Sequence, residues 1–191
     1  MARSFSDRER ETIRRALIDA CKQCWTRFGY HKTGVRELAD MAGISAGAFY
    51  QFFDSKEVLF VAAAQDFQDE LVQLFHGNMT RYPGKRGLAE SIKAVAGEIS
   101  QASWLTAMWE EWPAIARKLP AQFVEQDFQR DAVRIGDILA QYGLRPRQST
   151  QMVTQIIDIL LSSISRTQFM PGQTDEAFNF VIDAVVDALF E

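Results

Sequence analysis

The residues of this chain whose types and spacing suit a chemical task lie between 33 and 60, in TGVRELADMAGISAGAFYQFFDSKEVLF, and the task is contact with double-stranded DNA. Ser45, Ala46, Gly47 and Ala48 are small enough for the start of a helix to approach base edges, and the alanine methyls can touch thymine methyls. Arg36 carries the planar fork that binds guanine through two hydrogen bonds, and Gln51 can read a base or a phosphate. Thr33, Tyr50 and Lys56 supply donors for phosphates, the last at a helix start, where the backbone dipole favours an anion.

Other chemistries find less support. The two histidines, His31 and His76, stand apart, and the chain contains no G-x-S-x-G, no H-E-x-x-H and no glycine-rich phosphate loop, so no catalytic residue is assigned and an enzyme is not expected. Cys21 and Cys24 form a C-x-x-C, but on a helix they lie one turn apart, which discourages a disulfide. Neither histidine falls at a zinc-ligand spacing from them. Cys24 is expected to pack as a small hydrophobe with Cys21 a bystander, and no metal or cofactor is assigned.

The elements that must position the DNA-facing set are legible around it. Thr33 is a candidate N-cap, Val35, Leu38, Ala39 and Ala42 space a two-turn helix, and Gly43 can take the left-handed conformation that ends it. Ser45 can cap a second helix, with Phe49, Phe52 and Phe53 as core anchors. This is the layout of a helix-turn-helix, in which the N-terminal end of the second helix enters the major groove. Upstream, Ser6 and Glu9 make a capping box, and Ile13, Leu17, Ala20, Cys24 and Phe28 form one apolar stripe ending at Gly29.

From Ile13 through Leu59 the ordered set, a helix ending FGY, then T-x-V-x-x-L-A, AGIS-x-G-x-FY, a Phe and KE-x-L, closely resembles the tetracycline repressor family of bacterial transcription regulators. The resemblance covers about the first third of the chain. One departure is Phe52, where the family often has a His in a YxHF pattern, so a polar group that could lean on the DNA backbone is missing there.

Composition agrees with a soluble globular protein: 191 residues, 47% hydrophobic and 24% charged. The opening Met-Ala-Arg-Ser-Phe-Ser lacks a signal-peptide core and no apolar run is long enough to span a membrane, so a cytoplasmic protein without membrane contact is expected. Net charge is −4, yet residues 1–60 hold 10 Lys and Arg against 8 Asp and Glu, which puts the basic excess on the proposed reading head.

Beyond residue 60 the pattern predicts an all-α protein: a head of three helices over 1–54, and a helical regulatory and dimerisation domain over 55–191. Helices are predicted over 55–82 without a breaker, 86–100, from 104 with a break near Pro113, 120–142, 147–169 and 175–190. The last two are apolar on more than one side, with Phe178, Val181, Ile182, Val185 and Leu189 in one stripe. Pairing of these helices in a homodimer, with Ile182 and Val185 in the seam, would place two heads roughly 34 Å apart on a palindromic site. Trp104, Met108, Trp112, Phe123 and Phe128 concentrate bulky side chains beside Glu110 and Glu111. Core packing is the default for such a stripe, whereas the resemblance implies a small-molecule pocket between these helices, lined by aromatic and aliphatic groups; the indole faces would suit a planar or cationic ligand, with a buried Glu as counter-charge. The expectation is a homodimeric repressor released by a hydrophobic or aromatic ligand, the alternative an architectural or partner-regulated DNA-binding protein without an inducer.

Overall fold

The computed structural model describes residues 5–120, 136–167 and 174–191. Their regular structure is helical apart from one isolated bridge between Pro146 and Phe190. The helices are α1 (Asp7–Lys32), α2 (Val35–Met41), α3 (Ala46–Phe49), α4 (Lys56–Arg81), α5 (Lys85–Gln101), α6 (Ser103–Ala116), α7 (Thr150–Thr167) and α8 (Thr174–Leu189). Residues 136–141, also helical, match the end of the predicted 120–142 helix, whose earlier part lies outside the described residues. The described chain forms two compact units, one from residues up to 69 with 103–120, the other from 70–102 with those after 120. The unbroken α4 contributes its start to the first unit and its end to the second.

In the first unit the capping box forms as read: the Ser6 hydroxyl accepts from the Glu9 amide, and the Glu9 carboxylate accepts from the Ser6 amide. The buried face of α1 is wider than the predicted stripe, comprising Leu17, Ile18, Ala20, Cys21, Cys24, Trp25 and Tyr30. Cys21 is therefore core, not a bystander, and its burial pushes the thiol well above its ordinary value. Phe28, placed in the stripe by spacing, is instead 41% exposed. The face shifts because the wall against α1 is supplied by α6 and α4: Trp25 meets Phe60 edge-on at 4.0 Å and Trp104 at 5.9 Å.

Pro113 does not break α6. The helix runs through it, and buried Trp104 and Ile115 anchor the two sides of the proline, so packing offsets the one hydrogen bond it forfeits. Two residues before Pro113, Glu111 reaches α1. Its Oε2 accepts from the Trp25 indole Nε1 at 2.9 Å and from the Tyr30 amide at 2.8 Å. That amide needs a partner from elsewhere because Gly29, at φ 72 and ψ 174, interrupts the α1 ladder. A Cβ at Gly29 would lie 3.0 Å from Glu111 Oε1, so the glycine serves both the left-handed turn and the close approach. The carboxylate that the sequence suggested as a ligand counter-charge is thus engaged by the end of α1.

The second unit is built from the end of α4, α5, residues 136–144, α7 and α8. Met79, Leu88, Ile92, Leu139, Val153, Ile182, Val186 and Phe190 share its core. The turn from α4 into α5 is tight enough that a Cβ on Gly87 would fall 1.5 Å from the Tyr82 carbonyl oxygen. Lys93 joins α5 to α8 through Asp183 at 2.7 Å. Ile182, expected in a seam between subunits, is fully buried in this core, since the face of α8 that packs on it carries Ile182, Val186 and Leu189, with Phe178 and Val185 against its edge and Val181 of the predicted stripe turned outward. Apolar side chains left outside are Met152 and Ile159 on α7, the latter 69% exposed, and Phe180 and Val181 on α8, Phe180 at 73%.

Replacing Glu111 with Ala leaves two buried donors unpaired and should cost about 1–3 kcal/mol of stability, whereas Glu111→Gln, which keeps one acceptor oxygen, should cost less. Thermal melting of the two variants checks the order; equal melting points with the parent would remove Glu111 from the account of α1.

Candidate nucleic-acid interface

The reading elements are short and their geometry is local. Helix α2 starts at Val35 with Gly34 as N-cap and no side-chain cap. Thr33, expected to cap it, closes α1 instead: the residue is 1% exposed, and its hydroxyl donates to the Gly29 carbonyl at 2.8 Å, satisfying an oxygen that the break in α1 leaves open. Gly43 takes φ 71 and ends α2 as read. Ser45 then caps α3, its hydroxyl accepting from the Ala48 amide at 3.2 Å.

Helix α3 has one turn, Ala46–Phe49, and continues as tight i+3 turns in which the Gln51 amide donates to Ala48 and the Phe52 amide to Phe49. That tightening alters the anchors. Phe49 and Phe53 are buried, but Phe52 is only half-buried, covered by Phe5 at 5.5 Å and by the Arg10 guanidinium 5.2 Å from its ring centre. Ser45, Gly47, Ala48 and Gln51 line one open groove of about 750 Å³ with the first turns of α1. Ser45, Gly47, Gln51, Arg36 and Tyr50 are exposed, Tyr50 at 58%, while Ala46 and Ala48 are half-buried.

Lys56 is drawn inward. Its ammonium donates to the carbonyls of Tyr30 and Thr33, each at 2.9 Å, and sits 4.2 Å from the Tyr30 ring centre. Burial pushes it below its ordinary lysine value. The neighbouring Glu57 accepts the Tyr30 hydroxyl at 2.5 Å, and Lys118 stands 3.7 Å from the same carboxylate. Burial works against the Glu57 charge, yet the Tyr30 hydrogen bond, with other donors and Lys118, holds the carboxyl below the usual range. Burial and the bond to Glu57 raise the Tyr30 phenol. Thr33 and Lys56 therefore come together, at the junction of α1 and α4, apart from the groove lined by the small residues of α3.

The aromatic set divides as well. Trp104 is buried between Trp25 and Phe67, the latter at 5.3 Å. Met108 and Trp112 are half-buried on α6, and Phe123 and Phe128 lie outside the described residues. Sequence reasoning missed Arg10, Trp25, Tyr30 and Lys118. Trp25 carried a usable signal, standing four residues after Cys21 and eight after Leu17; the contacts of Arg10 with residues 51 and 52 carried none.

A family profile, that of the bacterial regulatory proteins of the tetR family, matches residues 17–63, which span the end of α1 through the start of α4. The HTH-type transcriptional repressor Rv1474c of Mycobacterium tuberculosis is 30% identical over 139 residues, 72% of this chain and 66% of that protein, so the chain spans about two thirds of its length. The HTH-type transcriptional repressor AcnR of Corynebacterium efficiens is 23% identical over 90% of this chain and 89% of its own. Among solved structures, the transcriptional regulator FadR of Bacillus subtilis, crystallised with stearoyl-CoA, shares the fold with a TM-score of 0.64 at 14% identity, covering 91% of this chain and 98% of that one. These relatives are transcriptional regulators, not enzymes. With a helix-turn-helix built from α2 and α3 and helices throughout the described remainder, the chain belongs to the tetR family of bacterial regulatory proteins and is a DNA-binding transcriptional regulator.

Proposed function

We propose that the chain acts in the cytoplasm as a homodimeric repressor, released from a palindromic operator by a small hydrophobic or aromatic ligand. The observation that carries the DNA side is the first turn of α3, where capped Ser45 and exposed Gly47 border an open groove with exposed Arg36, Tyr50 and Gln51 close by in sequence. Ser45, Ala46, Gly47 and Ala48 meet base edges, Arg36 takes guanine, Gln51 a base or phosphate, and Tyr50 a phosphate. Thr33 and Lys56, both bound to the end of α1, act chiefly by fixing where α2 and α3 begin. Functionally the boundary stays at 54, with residues 55–191 regulating and dimerising. Arg36→Ala should lose about 1–3 kcal/mol on the operator and relax one position of each half-site. Selection of duplexes from a random pool by both proteins tests this; an unchanged preferred site takes Arg36 out of the reading set.

Dimerisation through the last two helices is supported by the apolar side chains they expose, above all Ile159 and Phe180, with the small Ala184 and Ala188 following Phe180 at four-residue steps. Phe180→Glu places a charge on that face without touching the core and should give folded monomers in sedimentation, with operator affinity reduced because the half-sites are no longer coupled. A Phe180→Glu dimer would move the interface elsewhere.

The effector is supported by Met108 and Trp112, half-buried on α6, together with Phe123 and Phe128, and by the acyl ligand carried by the Bacillus subtilis relative. Helix α6 also holds Glu111, so a ligand that displaces α6 acts on the end of α1 directly. Release requires tighter binding to the DNA-incompetent arrangement, and coupling of about 1–3 kcal/mol weakens operator binding roughly 5- to 150-fold. Melting shifts and tryptophan fluorescence against aromatic, cationic and fatty-acyl compounds, followed by operator titration, should yield such a compound. Binding without loss of operator affinity would favour regulation by a partner protein.

A further inference from the structure

Arg10 lies on the exposed side of the second turn of α1, outside the helix-turn-helix, yet its guanidinium is held against the C-terminal end of the reading helix. Its Nη2 donates to the Gln51 carbonyl at 3.0 Å, and its central carbon stands 5.2 Å from the Phe52 ring centre. Phe5 packs on the same ring at 5.5 Å, and the capping box at Ser6 and Glu9 fixes the turn from which Arg10 projects. Three constraints thus hold a side chain that would otherwise sweep freely: a backbone acceptor, an aromatic platform and a rigid helix start.

Neither direct partner of the guanidinium carries a formal charge. A carbonyl and a ring position it without neutralising it, and one bond of its five-donor fork leaves N–H groups for a further acceptor. Asp7 and Glu11 line the small hollow beside it with Arg14 and Phe52, and like charge there disfavours an anion, so the side of Gln51 is the more favourable approach. The immediate neighbours of that side are Tyr50 and Gln51, already facing solvent. The cation seated on the Phe52 ring gives an otherwise apolar flank of the reading helix a polar, charged face.

We propose that Arg10, seated on Phe52 and tied to the Gln51 carbonyl, binds a backbone phosphate of the DNA beside the reading helix. The proposal rests on the DNA-binding reading above and adds a residue from α1 to it. Because a phosphate contact is indifferent to sequence, Arg10 contributes equally on operator and on unrelated duplex.

The test uses the full chain, a duplex selected from a random pool and a scrambled duplex, titrated across a salt series. Arg10→Ala should weaken binding to both by a similar factor, on the order of 3- to 10-fold at low salt, and lower the salt slope by about one unit. Arg147→Ala, an equal loss of charge at an exposed position in the other unit, should leave the slope unchanged. Arg10→Lys should keep the slope but lose part of the affinity, since an ammonium lacks the planar fork that can lie on the Phe52 ring while donating to the Gln51 carbonyl and to a phosphate. Phe52→Leu should weaken binding with its charge intact, because the platform is gone. An Arg10→Ala protein with parental melting, affinity and slope overturns the proposal; so does a loss confined to the operator. If Arg10→Ala melts lower, Arg10→Lys decides: a slope reduced like that of the alanine variant assigns the loss to folding and overturns the phosphate contact. Failure of the parent protein to bind any duplex would instead overturn the reading of the head itself.

Discussion

The end of α1 is the constraint on which the head depends. Gly29 turns the helix out of its regular path, and the groups this releases are taken up by side chains from three directions: the Tyr30 amide by Glu111 of α6, the Gly29 carbonyl by Thr33, and the Tyr30 and Thr33 carbonyls by Lys56 of α4. Each of these groups would be costly if buried without a partner. Their satisfaction fixes where the chain leaves α1, hence where α2 starts only three residues later. The placement of Ser45 and the turn of α3 follows from that exit.

The same interactions explain why α6 belongs to the unit that contains the head, though it follows α5 in sequence. Burial of Trp25, Trp104 and Ile115 supplies the apolar area, but apolar contact alone tolerates sliding of one helix along another. The Glu111 carboxylate, shared between an indole and an amide, accepts only one register. Tyr30 adds a second, since its hydroxyl is held by Glu57 while Lys56 and Lys118 both stand within cation–π distance of its ring. Paired charge of this kind contributes modestly to net stability, and here its directional bonds favour one arrangement of α6 on α1. In a molecule proposed to transmit a signal, a uniquely registered contact has the further property that a small shift breaks it whole.

What the sequence made legible was whatever depends on local pattern. Capping at Ser6 and Ser45, the turn at Gly43, the unbroken α4 and the all-helical class follow from side chains within a few residues of one another, and the helix-turn-helix was readable from its spacing. What escaped was decided by long-range partners. Thr33 looks like an N-cap until the carbonyl of Gly29 is seen to need it; the place of Lys56 at a helix start points to a phosphate, while its two bonds to α1 carbonyls come from residues too distant in sequence to be foreseen. The C-terminal stripe is apolar in pattern and in fact, but a single helix cannot reveal which face its own chain covers, so spacing alone puts Ile182 in a seam and leaves Phe180 out of it. Pro113 reads as a break from sequence because its cost is local, whereas the packing that offsets it is not.

Those corrections change how the proposed function must work. A head whose first 60 residues carry only 10 basic against 8 acidic side chains has little non-specific attraction for a polyanion, and the structure commits one of those lysines, Lys56, to the protein's own carbonyls. With weak electrostatics overall, phosphate contacts such as that of Arg10 add little on their own, and in the proposed dimer two terms raise affinity for the operator above that for other DNA. One is direct contact by small, closely approaching residues, which rewards the correct sequence without strengthening binding everywhere. The other is the coupling of two heads, which multiplies a modest half-site affinity by an effective concentration set by how rigidly the heads are spaced. On that reading a tightly registered α1 is a requirement for affinity as well as for order, because any looseness at Gly29 spreads the heads over many spacings and dilutes the one that fits the site.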